Sequence, residues 1–396
     1  MPLDPIETLR QLVRIPSVNP MGRELSGPEY FEQAMTDHLA GLFDQLGLAW
    51  EKHEVEPRRS NIICRLEGDD PSESSQRVLL FEAHQDTVPV DRMTIDPFAA
   101  ELRDGRIYGR GACDIKGGMA AMLAAFSRLA KERPAGRPTI VMACTVNEEH
   151  GFTGASHLAR LWQSGKSPLL PREPDGIVVA EPTELRVVVA HKGVVRWCCH
   201  TTGRAAHSSR PERGENAIYR MARVLRVLEE YARDIVPKLG SHPLVGNPTM
   251  SVGTIRGGIS VNTVPDRCTI EIDRRLLPGE DPVAARQKVI AHLQEQLDAD
   301  FPAAHDEPFI VARGLPDDRN APLAESLSRA VRECGGNGEF VGVPFGTDAA
   351  AYSAAGAAAV VFGPGSIRQA HTADEWIAVD QLERATEILY RFACQA

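Results

Sequence analysis

Three short apolar runs in this chain each stop at groups that can carry charge or hold a cation, and that recurrence restricts the fold more than any other feature. The run Val78-Leu79-Leu80-Phe81-Glu82-Ala83 ends in His84-Gln85-Asp86, and Pro89 then forbids further ladder pairing. A second run, Thr139-Ile140-Val141-Met142-Ala143-Cys144-Thr145-Val146, leads into Asn147-Glu148-Glu149-His150-Gly151. The third, Gly176-Ile177-Val178-Val179-Ala180, closes in Glu181-Pro182-Thr183. Runs this short and continuous read as strands buried on both faces, as in a sheet covered by helices. In open α/β sheets, functional groups gather just beyond the carboxyl ends of the strands. His84 and Asp86 lie two apart in an extended segment and point the same way, so Asp86 is expected to orient His84 from behind.

A fourth group comes from a glycine-rich loop, Gly109-Arg110-Gly111-Ala112-Cys113-Asp114-Ile115-Lys116-Gly117-Gly118. The loop is neither Gly-x-Gly-x-x-Gly nor a P-loop, and an aspartate at its centre would repel phosphate. Met119, Met122, Leu123, Phe126 and Leu129 carry a helical apolar face after it, which places Asp114 just ahead of a helix start. Singly, these groups have ordinary explanations: a surface histidine, a solvated pair of glutamates, a helix cap. Jointly they do not, because several carboxylates on one rim repel one another unless divalent cations neutralise them.

The remaining chain sets the frame. Amphipathic helices are expected over residues 4–14 and 27–48, the second through Phe31, Met35, Leu39, Leu42, Phe43 and Leu46, with strands at 61–66 and 77–83 joined by a polar turn at 69–75. After Leu185 the texture changes. Strands at 186–190, 194–201, 249–255 and 268–275 alternate with two helices, one through Ile218, Met221, Val224, Leu225 and Leu228, the other capped by Asp281-Pro282. That pattern describes an inserted α+β module. A helix at 321–332, strands at 339–343 and 357–362 and a closing helix through Leu382, Ala385, Ile388, Leu389 and Phe392 return to the first texture. The expected fold is an α/β catalytic domain with a helix-covered mixed sheet, in two parts (1–188 and 303–396), interrupted by a smaller domain over 189–302.

Composition excludes several roles. A formal net charge of -10 gives no reason to bind nucleic acid or an anionic membrane surface. The eight cysteines are scattered without a Cys-x-x-Cys pair, which suits reduced thiols and a cytoplasmic enzyme. The amino terminus lacks the basic and apolar regions of a signal peptide, and the small-residue stretch 349–362 is too short to span a bilayer.

The motifs also stand in a telling order. His84-x-Asp86, Gly109-Arg110-Gly111-x-x-Asp114-x-Lys116-Gly117-Gly118, Glu148-Glu149-x-Gly151, Glu181-Pro182-Thr183, Ala206-His207-Ser208-Ser209-x-Pro211 and Ala370-His371-x-x-x-Glu375 follow one another across essentially the whole chain. In this the sequence resembles the dinuclear-zinc aminoacylase and carboxypeptidase family. Ala83, Asn147 and His150 depart from its common pattern of glycine, aspartate and a small or aliphatic residue, and none removes a candidate ligand. The resemblance implies two zinc ions, replaceable by cobalt: one held by His84, Asp114 and Glu181, the other by Asp114, Glu149 and His371. It implies Glu148 as general base and Asp86 behind His84. It further implies a lid and dimerisation domain whose His207 reaches the partner subunit's active site in a homodimer. Asn262, Arg275 (rather than Arg274), Gly346 and Thr347 then become substrate contacts. The implied reaction is removal of an acyl group from an N-acyl amino acid, as in acetylornithine deacetylase. Succinyl-diaminopimelate desuccinylase and a carboxypeptidase or dipeptidase of the same family are the alternatives. A non-enzymatic homologue would require loss of a ligand or of the base, and all are present.

Overall fold

The computed structural model describes residues 1–69 and 77–395, which form two compact units: Met1–Val189 with Pro316–Gly342 and Thr347–Ala396, and Ala190–Leu315 with Val343–Gly346. The expected polar turn at 69–75 falls, beyond Asp69, outside the described residues.

In the first unit α1 (Pro5–Arg14) opens on Asp4, whose side chain accepts the Glu7 N–H, with Pro5 preset for the first turn. Then follow α2 (Gln33–Leu46), β1 (Ala49–Glu56), β2 (Arg59–Leu66), β3 (Val78–His84), α3 (Lys116–Glu132), β4 (Thr139–Thr145), α4 (Thr153–Ser164) and β5 (Gly176–Val179). The sheet has eight strands in the order β1-β2-β4-β3-β5, then Ala359–Val361, Val187–His191 and Phe340–Val343. β3 runs parallel to both β4 and β5, while β1 and β2 add an antiparallel margin. Every residue of β3, β4 and β5 is buried, as continuous apolar runs require. Alternation along β3 sends neighbours to opposite faces. Phe81 stacks on Phe392 of the C-terminal helix, and Glu82 turns instead toward Thr145. Helices therefore cover the sheet on the Phe81 face, with α3 packed against α1, β3 and the C-terminal helix.

Two local expectations need correction. The second helix begins at Gln33, not near 27, because Tyr30 bridges to Val18 and Phe31 takes a left-handed φ of 69°. Its buried stripe is Met35, Leu39, Leu42 and Phe43. β1 was not anticipated: it is a polar edge strand, Ala-Trp-Glu-Lys-His-Glu-Val-Glu, whose partly open faces leave little apolar signal.

The second unit is a sheet of antiparallel strands with helices on it. Arg267–Leu276 lies between Thr249–Gly257 and Gly193–Thr202, its burial alternating residue by residue. Trp197, Ile270 and Ile272 meet Met221, Val224 and Leu228 of the helix Ala217–Glu230 and Val289 and Leu293 of the helix Pro282–Gln296 in one core. Ile218, expected in that face, is 38% exposed; the helix packs through Ala217 and Val227 instead. This unit extends to Leu315 rather than ending at 302. Ala303–His305 and Ile310–Ala312 both pair with Gly193–Thr202, so hydrogen bonds tie them to this sheet.

Candidate metal centre

Register gathers the polar strand ends of the first unit. His84 stands opposite Thr145 in the β3–β4 pair, and Glu82 stands opposite Val179 in the β3–β5 pair. The loops carrying His84, Glu148 with Glu149, and Glu181 therefore leave the sheet along one edge. Asp114 reaches that edge from the loop before α3, and glycine makes the approach possible. A Cβ on Gly118 would come within 2.8 Å of the Ala180 Cβ, and one on Gly117 within 2.5 Å of the Ala112 carbonyl oxygen.

The outcome is two overlapping clusters. His84, Asp114 and Glu181 can bring one ligand atom each to within 4.8 Å of one another, and so can Asp114, Glu149 and His371. Asp114 belongs to both: Oδ1 lies 3.4 Å from His84 Nε2, and Oδ2 lies 3.3 Å from His371 Nε2. Glu149 Oε2 lies 3.4 Å from the same His371 nitrogen. Glu148, buried beside them, belongs to neither cluster.

Two observations fit these residues to cations. First, His84 Nε2 and Glu149 Oε1 are buried with no hydrogen-bond partner, a costly state unless something else binds them. Second, His84 Nδ1 donates to the main-chain carbonyl of Asp86 at 2.9 Å, so a neutral His84 ring presents Nε2, the nitrogen facing Asp114, to a cation. Mixed imidazole and carboxylate donors suit borderline divalent ions. Electrostatics agree. Burial pushes Glu148 and Glu181 well above the usual carboxylate range, and neighbouring carboxylates add to the shift. Burial would also raise Asp114, but the imidazoles of His371 and His84 beside its two oxygens outweigh it and hold the carboxyl low. His371 is carried up to about 11 by Asp114 and Glu149.

The expected role of Asp86 changes in detail. Its carboxylate stands 3.7 Å from His84 Nδ1, and it is the Asp86 carbonyl that orients the ring. The carboxylate instead accepts the backbone N–H groups of Glu148 and Glu149, at 3.1 and 3.2 Å, and the Asn19 amide at 2.7 Å. Asp86 thus fixes both a histidine and the glutamate turn.

Sequence reasoning assigned no role to Glu375, although it stands in the Ala-His-x-x-x-Glu motif. Its Oε1 accepts the N–H groups of Cys113 and Asp114, while Oε2 receives Arg110 Nη1 at 2.5 Å. The Glu32–Arg59 pair was also missed: Arg59 Nη2 and Nε donate to Glu32 at 2.6 and 2.9 Å, both side chains being buried. A third unforeseen group is Glu82 with Asp348, whose carboxylates lie 2.5 and 3.2 Å from Thr145 Oγ1. Burial lifts Asp348 to about 6 and Glu82 well above its usual range.

His207, Asn262, Arg275 and Gly346 belong to the second unit, and Thr347 to the first. Within the second unit His207 pairs with Thr263 on a two-stranded ribbon, and just beyond it the Ser208 N–H donates to the Asn262 carbonyl. His207 is exposed and its Nδ1 accepts the Ser209 N–H at 3.1 Å, which leaves the ring proton on Nε2, free to donate. Arg274 is buried and engaged by Glu280 at 2.9 Å, so it is Arg275, partly exposed and paired with Asp273, that remains accessible. Thr347 is buried, and its hydroxyl accepts the Ala349 N–H.

An α/β sheet with two imidazole–carboxylate clusters around one shared aspartate, and a buried glutamate left over beside them, has the construction of a metal-dependent hydrolase. Comparison with known proteins makes this specific. Residues 80–395 match the model of peptidase family M20/M25/M40. The chain is 34% identical over 326 residues to an acetylornithine deacetylase of Myxococcus xanthus, covering 81% of this chain and 80% of that one. An M20 family metallo-carboxypeptidase from Sulfolobus solfataricus superposes with a TM-score of 0.77 at 18% identity, over 99% of both chains. A Bacillus subtilis protein described as a dinuclear metal binding peptidase of the same family gives 0.66 at 17% identity, over 98% of this chain and 96% of that one. The chain belongs to peptidase family M20/M25/M40. It is a metal-dependent amidohydrolase. Among the described residues, no helix is long and apolar enough to cross a membrane.

Proposed function

We propose that the chain removes the acyl group from an N-acyl amino acid, in the manner of the acetylornithine deacetylases it is similar to, and that it works with two zinc-type ions. The observation that carries this reading is the pair of ligand clusters sharing Asp114, with Glu148 adjacent and uncommitted. His84, Asp114 and Glu181 hold one ion, Asp114, Glu149 and His371 the other, and cobalt can replace zinc because the donor set is the same. Bound ions supply Lewis-acid polarisation of the acyl carbonyl and acidification of water.

The rest is done by side chains. Glu148, kept basic by burial, takes a proton from the attacking water as the water oxygen bonds to the acyl carbon. As the carbon–nitrogen bond breaks, Glu148 returns that proton to the departing amine. His207 donates from Nε2 to the developing oxyanion, and in a homodimer it serves the partner subunit's site. Arg275 pairs with the substrate carboxylate, Asn262 donates to its polar groups, and Gly346 and Thr347 line the approach. The free cysteines fit a reducing, cytoplasmic setting.

The test is amine release from N-acetyl, N-succinyl and dipeptide substrates by metal-free protein supplied with zinc or cobalt. N-acetylornithine should be cleaved fastest, and only with metal added. Preference for the dipeptides would replace the deacylase assignment, and metal-independent cleavage would remove the mechanism.

A further inference from the structure

The turn that carries Glu148 and Glu149 is secured from behind by an amide whose every polar atom is used. Asn147 sits at a φ of 62°, a left-handed conformation that asparagine tolerates better than most residues. Its side-chain oxygen accepts Asn19 Nδ2 at 2.9 Å. Its side-chain nitrogen donates to Thr153 Oγ1 at 3.0 Å and to Glu56 Oε1 at 3.3 Å, and Thr153 closes the triangle by donating to the same Glu56 oxygen at 2.8 Å. The main chain is held as well: Asn147 N–H points at Glu32 Oε1 at 3.3 Å, and its carbonyl accepts the Phe152 N–H at 2.8 Å. The other hydrogen of Asn19 Nδ2 goes to Asp86, the carboxylate that receives the amides of Glu148 and Glu149.

Charge makes this position selective. Glu32, Glu56 and Asp86 converge on Arg59, at 2.6, 3.7 and 4.0 Å. A carboxylate at 147 could still accept from Asn19, but its second oxygen would face Glu56 where the Asn147 side chain now donates. Two anions in a partly buried contact repel, and a donor is lost as well.

We propose that Asn147 is a positioning residue for the Glu148–Glu149 turn, and that Glu56 requires an amide rather than a carboxylate there. The proposal rests on the reading of Glu148 as base and Glu149 as ligand. The amide joins two fixed partners, Glu56 at the end of β1 and Asn19 beside Asp86, and the turn hangs between them.

A charge-swap cycle tests it. Asn147→Asp should lower kcat and weaken the more loosely held metal equivalent by about tenfold each, with KM little changed. Adding Glu56→Gln reverses the polarity of the broken contact, because a glutamine amide can donate to the new carboxylate, and should restore both quantities most of the way. Melting temperature is followed in parallel on the metal-free protein. Wild-type kcat and metal affinity in Asn147→Asp would overturn the proposal. So would a double variant that regains its melting temperature but neither kcat nor metal affinity, since that is the signature of a purely structural contact. If Asn147→Asp does not fold, Asn19→Ala carries the same prediction, as it removes the donor to both Asp86 and Asn147. Metal titration needs no substrate, so failure of the deacylase assignment would leave the cycle readable. Full turnover by Glu148→Gln would remove the base without touching the cycle.

Discussion

One oxygen of Glu375 accepts the backbone N–H of Asp114 at 3.0 Å, so the residue shared by both ligand clusters is set from 261 positions away in sequence. The same oxygen takes the Cys113 N–H at 2.8 Å, and Arg110 neutralises the carboxylate from its other side. Two adjacent amides pointing at one anion fix the peptide plane, and with it the direction in which Asp114 presents its two oxygens. Partners of this kind, one shell behind a ligand, typically change metal affinity 10–100-fold when altered.

Glu375→Gln is therefore expected to weaken metal binding by roughly one to two orders of magnitude. The amide keeps the shape and one acceptor oxygen but leaves buried Arg110 without its counter-charge. Competition with a chromophoric chelator measures the affinity directly. An unchanged affinity would show that the Asp114 loop holds its geometry without this carboxylate.

For Glu148→Gln the expectation is opposite in kind. Glu148 stands outside both clusters, so the variant should bind two metal equivalents while kcat falls by about 100-fold or more, the scale of a lost general base. Metal analysis and steady-state kinetics on one preparation check both halves. Turnover near wild type would mean that another group accepts the proton.

How much of this was legible in the sequence differs between candidate ligands and their supports. His84, Glu149 and Glu181 were legible because each closes a buried strand, and burial leaves a continuous apolar run that any reader can find. Asp114 was marked by its glycine-rich loop ahead of a helix, while His371 needed the order of motifs, since its loop carries no such signal. Most of the supports were not legible. Glu32 and Arg59 are adjacent to nothing that marks them in sequence, and only the close approach of α2 to β2 joins them. Asp86 lies next to His84, but extended-chain geometry does not say which of its oxygens faces the ring; the carbonyl does, and the carboxylate expected there goes to the next loop. The boundary near 302 failed for a related reason. Ala303–His305 and Ile310–Ala312 are three-residue strands, too short for a periodic signal, and their allegiance is decided by pairing with Gly193–Thr202.

His207 offers a prediction about assembly. Its Nδ1 is occupied by the Ser209 N–H, leaving Nε2 as the donor, so His207→Ala should lower kcat by about 100-fold or more while metal content stays at the wild-type level. If the residue serves a partner subunit, mixing Glu148→Gln with His207→Ala chains should regain activity, because one site of each hybrid then has both a base and a donor. Hybrids as inactive as their parents would confine His207 to its own subunit or remove its role.

On the proposed ligand set proton and metal compete for the same atoms, and the direction of that competition follows from the shifts. In the metal-free protein, hydrogen bonds to Asp114 and Glu149 hold His371 up to about 11, against an ordinary value of 6.5. His84 is also raised, because the Asp114 carboxylate 3.4 Å away and the charges around it outweigh burial. A histidine whose folded pKa is raised stabilises the fold fully below the unfolded value, and that stability is lost as pH rises through the folded value. The metal-free protein should thus lose this contribution progressively from about pH 6.5 upward. Metal binding requires both imidazoles neutral, so each ion must displace protons, and apparent affinity should strengthen as pH rises. Two measurements follow. Calorimetric titration with zinc in buffers of different ionisation enthalpy should report proton release near neutrality. The gap in melting temperature between loaded and metal-free protein, a direct reading of binding to the native state, should widen between pH 6.5 and 8.5, about two pH units over which the linkage predicts a steady slope. A gap that narrows over that range would mean the histidines are not the groups the ions displace protons from.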